Sequence, residues 1–252
     1  MRIIARMDIK SENLIKSVNL EGLRVVGNPN QYALKYYNEG ADEVLFLDCV
    51  ASLYGRNSLH KIIKKASEKI FVPLTVGGGI RKVDDAAKLF DSGADKIAIN
   101  SAAVKSPKII TDLANRYGSQ AIVLSIEAKK QKENFWEVFI ESGKQNTGIN
   151  LVDWVKIGTD SGAGEVIITS IDREGTRKGF ELDLYKNVKE ITNVPLIFSG
   201  GFGKLDHIKK LIDIRYPDAL AFADSIHYNR ISLKDIRKYL LDLNFNIRRF
   251  DQ

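Results

Sequence analysis

Short apolar, β-branched runs recur along the chain, at Ile3–Asp8, Glu43–Asp48, Val72–Val76, Lys96–Ile99, Ala121–Ile126, Val166–Thr169, Pro195–Ser199 and Ala219–Ala223. Between most of them lie longer segments whose apolar residues recur at helical spacing, such as Asp84–Asp91, Pro107–Tyr117, Asn150–Lys156 and Leu205–Ile214. Strands that alternate with helices pair in parallel through right-handed crossovers. Eight strands in 252 residues predict an α/β protein, a closed (β/α)8 barrel. A doubly wound open sheet is the competing fold, and it usually places a glycine-rich phosphate turn directly after the first strand. Here the first strand runs into Asp8-Ile9-Lys10, and no glycine occurs before Gly22.

The pattern repeats at about half the chain length. DEVLFLD (42–48) matches GEVIITS (164–170), VGGGI (76–80) matches SGGFG (199–203), and GADKIAINS (93–101) matches YPDALAFADS (216–225). Asn100 follows Gly77 by 23 residues, and Asp224 follows Gly200 by 24. Matched landmarks in one order point to a duplicated unit. The expectation is a single barrel domain over 1–252, made of two fused half-barrels at about 1–119 and 120–252. No Pro/Gly/Ser-rich linker divides them.

Composition narrows the class. Apolar residues make up 44% and charged residues 28%, which excludes a disordered chain. No apolar run is long enough for a transmembrane helix, and the N-terminus lacks the apolar core of a secretory signal. The single cysteine, Cys49, excludes an internal disulfide and a zinc–thiolate cluster, and it fits a reducing, cytoplasmic setting. His60, His207 and His227 show no metal-ligand spacing, so neither a metal nor another cofactor is expected. The net charge of +6 permits an anionic substrate. Its basic residues are spread along helical stretches without interleaved stacking aromatics, so nucleic-acid binding is not expected.

The chemistry of a barrel concentrates at the C-terminal ends of its strands. Asp8 and Glu127 fall there at matched positions of the two halves. Two carboxylates facing one another suit acid–base work if their surroundings hold their proton affinities apart. The plainer alternative is a loop cap or a lysine partner. Gly79 and Gly201 lie in glycine clusters after the third and seventh strands, next to Asn100-Ser101 and Asp224-Ser225. Together they outline two phosphate pockets, each completed by a helix N-terminus, and Thr169 is a further substrate-binding candidate. Tight strand–helix turns are the alternative for the glycines alone. Arg2, Glu43, Lys96 and Glu165 sit at strand starts and belong at the opposite mouth, where a ring of salt bridges ordinarily serves stability. Lys10–Pro29 reads as a long loop carrying Lys16, which could reach an anion or simply be solvated. Trp154 reads as packing.

At these residues the chain resembles the cyclase subunit of imidazole glycerol phosphate synthase. The likeness runs from RIIARMDIK to the last helix and is most specific in LDCVAS, TVGGGI, GADKIAIN, GSQAIVLSIEAK, GAGEVIITSIDREGT and SGGFGK. The resemblance implies a lyase/cyclase that takes ammonia from a glutaminase subunit docked at the N-terminal face. The ammonia would be used on a phosphorylated ribulosyl-ribonucleotide, giving imidazole glycerol phosphate and aminoimidazole carboxamide ribotide. It implies Asp8 and Glu127 as the catalytic acids and Lys16 as the loop lysine. Arg2, Glu43, Lys96 and Glu165 become an ammonia gate. Gly79, Asn100 and Ser101 match one phosphate pocket, and Gly175 and Gly201 match parts of the other.

The chain departs from that pattern in its second half. Glu127 and Glu174 stand where aspartate is usual, and the extra methylene at 127 moves the carboxylate by roughly 1 Å, a displacement that can cost ~100-fold in rate. Asp224 stands where a small hydroxyl residue helps to hold phosphate. A like charge ~4 Å from a phosphate costs on the order of 4 kcal/mol at an effective dielectric of 20. Ser225 would serve there if the strand bulged by one residue. Three readings stay open: the cyclase of histidine synthesis, a paralogue that uses ammonia in amidination of a surface-sugar precursor, and a scaffold that only activates a glutaminase.

Overall fold

A computed structural model describes residues 1–51 and 59–250. Ser52, the last residue of the LDCVAS stretch, lies outside them. The strands are β1 (Arg2–Lys10), β2 (Asn13–Val18), β3 (Glu21–Gly27), β4 (Glu43–Asp48), β5 (Leu74–Gly77), β6 (Lys96–Ile99), β7 (Ile122–Lys132), β8 (Phe135–Ile140), β9 (Gln145–Asn150), β10 (Glu165–Ser170), β11 (Leu196–Ser199) and β12 (Ala219–Phe222). Eight of them pair in parallel in the order β10-β11-β12-β1-β4-β5-β6-β7, and β7 pairs with β10 to close the ring. This is the (β/α)8 barrel that the alternation predicts. No helix among the described residues is long and apolar enough to cross a membrane.

Strand periodicity explains both faces of the ring. On β1, Ile3, Ala5, Met7 and Ile9 point outward into the main apolar core, shared with helices such as Pro29–Asn38, Val83–Asp91 and Leu151–Asp160. Trp154 is buried in that core. The alternate residue Ile4 packs inside with Leu45, Ala98, Val123, Ile167, Ile197, Ala219 and Ala221. The barrel axis therefore carries an apolar layer with charged residues below and above it.

Two elements escape the sequence pattern. The segment expected as a loop after β1 is an antiparallel hairpin, β2–β3, that continues from β1. A second hairpin, β8–β9, extends from β7. β3 and β9 are mostly solvent-facing, with burial patterns that show no alternation, so hydrophobic periodicity had nothing to register. Both hairpins rise from strand ends at the C-terminal mouth and wall the space above it.

Candidate active site

At the N-terminal mouth the first residues of β1, β4, β6 and β10 converge. Arg2 bonds Glu43 Oε2 at 2.8 Å and also pairs with Glu165. Lys96 Nζ lies 2.7 Å from Glu43 and 2.7 Å from Glu165. The four side chains form a closed ring of alternating charge, and Thr75 donates to Glu43 at 2.5 Å. Glu43 and Glu165 are buried, and each is bracketed by the two cations.

At the C-terminal mouth, β1 turns Arg6 and Asp8 inward. Asp8 accepts from Arg6 Nε at 3.0 Å and from Lys16 Nζ at 3.3 Å. Lys16, on β2, also pairs with Glu174, and Arg6 lies 3.7 Å from the same carboxylate. All four residues are almost completely buried. Two cations and two carboxylates thus make a charge-balanced cluster. Burial opposes the ionised form of Asp8, but Arg6 and then Lys16 outweigh it and hold the carboxyl well below the usual carboxylate range. Burial likewise opposes the charge on Lys16, and Glu174 and Asp8 overcome it, so the ammonium is held above its ordinary range.

Glu127 has different surroundings. It ends the inward row of β7 and is partly accessible. It accepts from Gly143 N at 2.8 Å and from Asn100 Nδ2 at 3.3 Å. Desolvation dominates there and pushes its carboxyl up to about 7, against the opposing pull of Arg6 and of the Gly143 N–H. The two acids therefore differ in protonation at neutral pH: Asp8 is ionised, and Glu127 can carry a proton. His227 is no rival proton carrier, because burial drives its ring down to about 3. The Cys49 thiol is pushed well above its usual value by burial.

Glu127 binds its proton more tightly in the folded chain than in the unfolded one. The stability penalty is absent below the usual carboxylate range, grows as pH rises toward about 7, and is complete above that. Glu127→Gln is expected to raise Tm at pH 8 and leave it unchanged at pH 4, a gain of up to about 3 kcal/mol. Thermal melts at the two pH values check this, and equal shifts at both would contradict it.

A cavity of about 320 Å³ opens beside Glu127. Gly79, Asn100 and Ser101 line it, with Arg81 and Lys105 supplying positive charge. Gly79 has φ +70°, a left-handed conformation that a β-carbon would oppose. The turn of the β8–β9 hairpin closes one wall, where Ser101 Oγ accepts from Glu141 N at 3.0 Å. Asn100 Oδ1 is buried without a hydrogen-bond partner, leaving an acceptor for a ligand.

The other predicted phosphate residues do not line this cavity. Thr169 Oγ1 accepts from Arg6 at 2.7 Å. A β-carbon on Gly175 would come within 2.3 Å of Ser17 O, so the β2–β3 hairpin is packed directly on the loop after β10. Asn19 holds that contact through Glu174 O and Ile171 O, both at 2.8 Å. Gly201 abuts Gly179, whose backbone N–H it accepts at 2.8 Å. Ser225 Oγ donates to Phe202 O at 3.0 Å. Asp224 faces Arg177 at 3.5 Å and Arg230 at 3.7 Å, and burial raises its carboxyl above the usual range despite them. Among the described residues no group of three or more His, Cys, Asp and Glu side chains is placed to hold a metal ion.

Sequence reasoning missed Arg6. The signal was present: Arg6 lies two residues before Asp8 on one strand, so both face the barrel axis.

A (β/α)8 barrel that brings an ionised and a protonatable carboxylate to the C-terminal mouth has the layout that acid–base chemistry requires. Residues 2–232 match the family model described as "Histidine biosynthesis protein". Similar proteins include three named "Imidazole glycerol phosphate synthase subunit HisF". That of Legionella pneumophila is 58% identical over 206 residues, covering 82% of this chain and 97% of the relative. That of Bacillus cereus (strain Q1) is 41% identical over 247 residues, and that of Streptococcus mutans serotype c is 39% identical over 248, each covering 98% of both chains. The chain belongs to the histidine-biosynthesis barrel family, as a cyclase-type synthase subunit of the HisF kind.

Proposed function

We propose that this chain admits ammonia at the floor of the barrel and consumes it at the roof, between Asp8 and Glu127. The observation that carries this reading is the contrast between the two acids above an apolar interior: Arg6 and Lys16 surround Asp8, whereas mainly uncharged donors surround Glu127. Neutral ammonia crosses such a layer far more readily than ammonium, whose charge would be buried unpaired. The ring of Arg2, Glu43, Lys96 and Glu165 closes the floor, and a glutaminase subunit docked on that face would supply the nitrogen through it. The matched positions of Asp8 on β1 and Glu127 on β7 also support two fused half-barrels, about 1–119 and 120–252, acting as one domain, for which a cytoplasmic setting is proposed.

The reaction is of the lyase/cyclase type. Ammonia adds to the ribulosyl carbonyl of the ribulosyl-ribonucleotide, the ionised Asp8 accepts a proton from the added nitrogen, Glu127 passes one to the former carbonyl oxygen, and that oxygen leaves as water while the new C–N bond becomes an imine. Ring closure then expels aminoimidazole carboxamide ribotide and leaves imidazole glycerol phosphate. Gly79, Asn100 and Ser101 hold one phosphate. Purified protein given ammonium and this compound is expected to form imidazole glycerol phosphate. Absence of product at saturating substrate would refute the reaction.

One observation favours a second reading. Gly175, Gly201, Asp224 and Ser225 lie outside the open cavity, and Asp224 is held by two arginines. An acceptor without a second phosphate, such as a sugar precursor undergoing amidination, fits that arrangement. Under this reading Asp224→Ser combined with Glu127→Asp raises turnover of the ribulosyl-ribonucleotide, and unchanged turnover counts against it. A scaffold that only activates glutaminase would keep its effect when Asp8 is replaced by alanine.

A further inference from the structure

Arg6 is 2% exposed and lies at the centre of the roof. Its Nε donates to Asp8 at 3.0 Å, and its Nη1 donates to Thr169 Oγ1 at 2.7 Å and Ser199 Oγ at 3.1 Å. These tethers come from β1, β10 and β11 and fix the plane of the guanidinium. Nη2 makes no hydrogen bond to any described residue. Arg6 also lines the cavity that Glu127, Asn100 and Ser101 share. A planar cation held rigidly with one nitrogen unused is a pre-organised donor, because its rotamer entropy is lost before any ligand arrives.

We propose that Arg6 is a binding and positioning residue of this site: one edge of its guanidinium fixes Asp8, and Nη2 donates to an oxygen of the substrate in the cavity beside Glu127. The assignment rests on the roof being the reaction site, as argued above. The recognised group is a carbonyl, carboxamide or other oxygen in the middle of the substrate, lying between the phosphate end at Gly79 and Asp8. The same cation favours the ionised form of Glu127. The other groups acting on Glu127 are Asp8 and Glu141, which oppose ionisation, the buried thiol of Cys49, and the donors Gly143 N and Asn100 Nδ2.

Removing Arg6 alone would leave Asp8 and Glu174 with a single cation, and removing Glu174 alone would leave Arg6 and Lys16 with a single carboxylate, so either change could prevent folding. The informative comparison is therefore Arg6→Met with Glu174→Gln against the wild type, since the double variant loses one charge of each sign and keeps Lys16 paired with Asp8. Relative to the wild type, the double variant is expected to raise KM for the ribulosyl-ribonucleotide about 10- to 100-fold, the loss of one charge-assisted hydrogen bond. It should also move the Glu127 midpoint upward in a substrate-free ¹³C-carboxyl NMR titration. Arg6→Lys, which keeps the cluster balanced, should hold the midpoint near that of the wild type yet still raise KM, because the ammonium lacks the planar fork. An unmoved midpoint overturns the assignment whatever the turnover, and so does an unmoved KM. A wild type that does not turn the compound over removes the proposed reaction instead, and the Kd for the compound, read by calorimetry on the wild type and both variants, then decides the role of Arg6.

Discussion

Asp8→Asn is expected to lower ammonium-driven turnover by ~10²–10⁴-fold, the usual worth of a positioned proton-transfer group. The loss should fall on kcat more than on KM, because the proposed role of Asp8 is to take a proton in the reaction and not to hold the substrate. The same substitution acts on stability. Asp8 is held below the usual carboxylate range by Arg6 and Lys16 against the cost of burial, so its contribution is fully present above that range and is lost only as pH falls through the depressed folded value. Neutralising it leaves Arg6 and Lys16 sharing Glu174 alone, an uncompensated buried charge that costs ~3–5 kcal/mol. Melting at pH 7 should show the drop, and melting at strongly acid pH should show less of it. A variant with wild-type kcat would remove Asp8 from the chemistry.

The second large effect is expected at the opposite mouth. Lys96→Met breaks the ring at two contacts and leaves Glu43 to Arg2 and Thr75. If the ring gates ammonia, glutamine-driven turnover with the glutaminase subunit should fall by about 10-fold or more, whereas turnover on external ammonium should change little. If the ring only braces the barrel, both activities should fall together with Tm. Lys96→Arg, which keeps the charge, separates lost charge from changed shape.

The eight barrel strands were legible because their apolar runs are short, β-branched and evenly spaced, and their bounds differ from the observed ones by a few residues. Ring closure followed from their number. The floor ring was legible for a simple reason: each member is the first residue of its strand, so one register places all four at one end. The same reasoning placed Asp8 and Glu127 at the other end.

What stayed hidden depends on contacts distant in sequence. Nothing local marks Glu174 as the partner of Lys16, because the β2–β3 hairpin must first fold onto the loop after β10. That fold also explains why Gly175 lies under Ser17 rather than in an open pocket. Matched spacing made the two phosphate pockets look alike. The structure separates them, because Asp224 has arginine partners and Ser225 is committed to Phe202. The divergence in protonation between the acids likewise needed coordinates. Arg6 and Lys16 surround one carboxylate, and mainly uncharged donors surround the other.

The most direct test follows the nitrogen. The complex with its glutaminase subunit is given glutamine labelled with ¹⁵N at the side-chain amide, the ribulosyl-ribonucleotide, and an excess of unlabelled ammonium. Delivery along the barrel axis predicts imidazole glycerol phosphate enriched in ¹⁵N far beyond the bulk ammonium pool. Product carrying only the isotope ratio of the surrounding solution would mean that the nitrogen reaches Asp8 and Glu127 from outside.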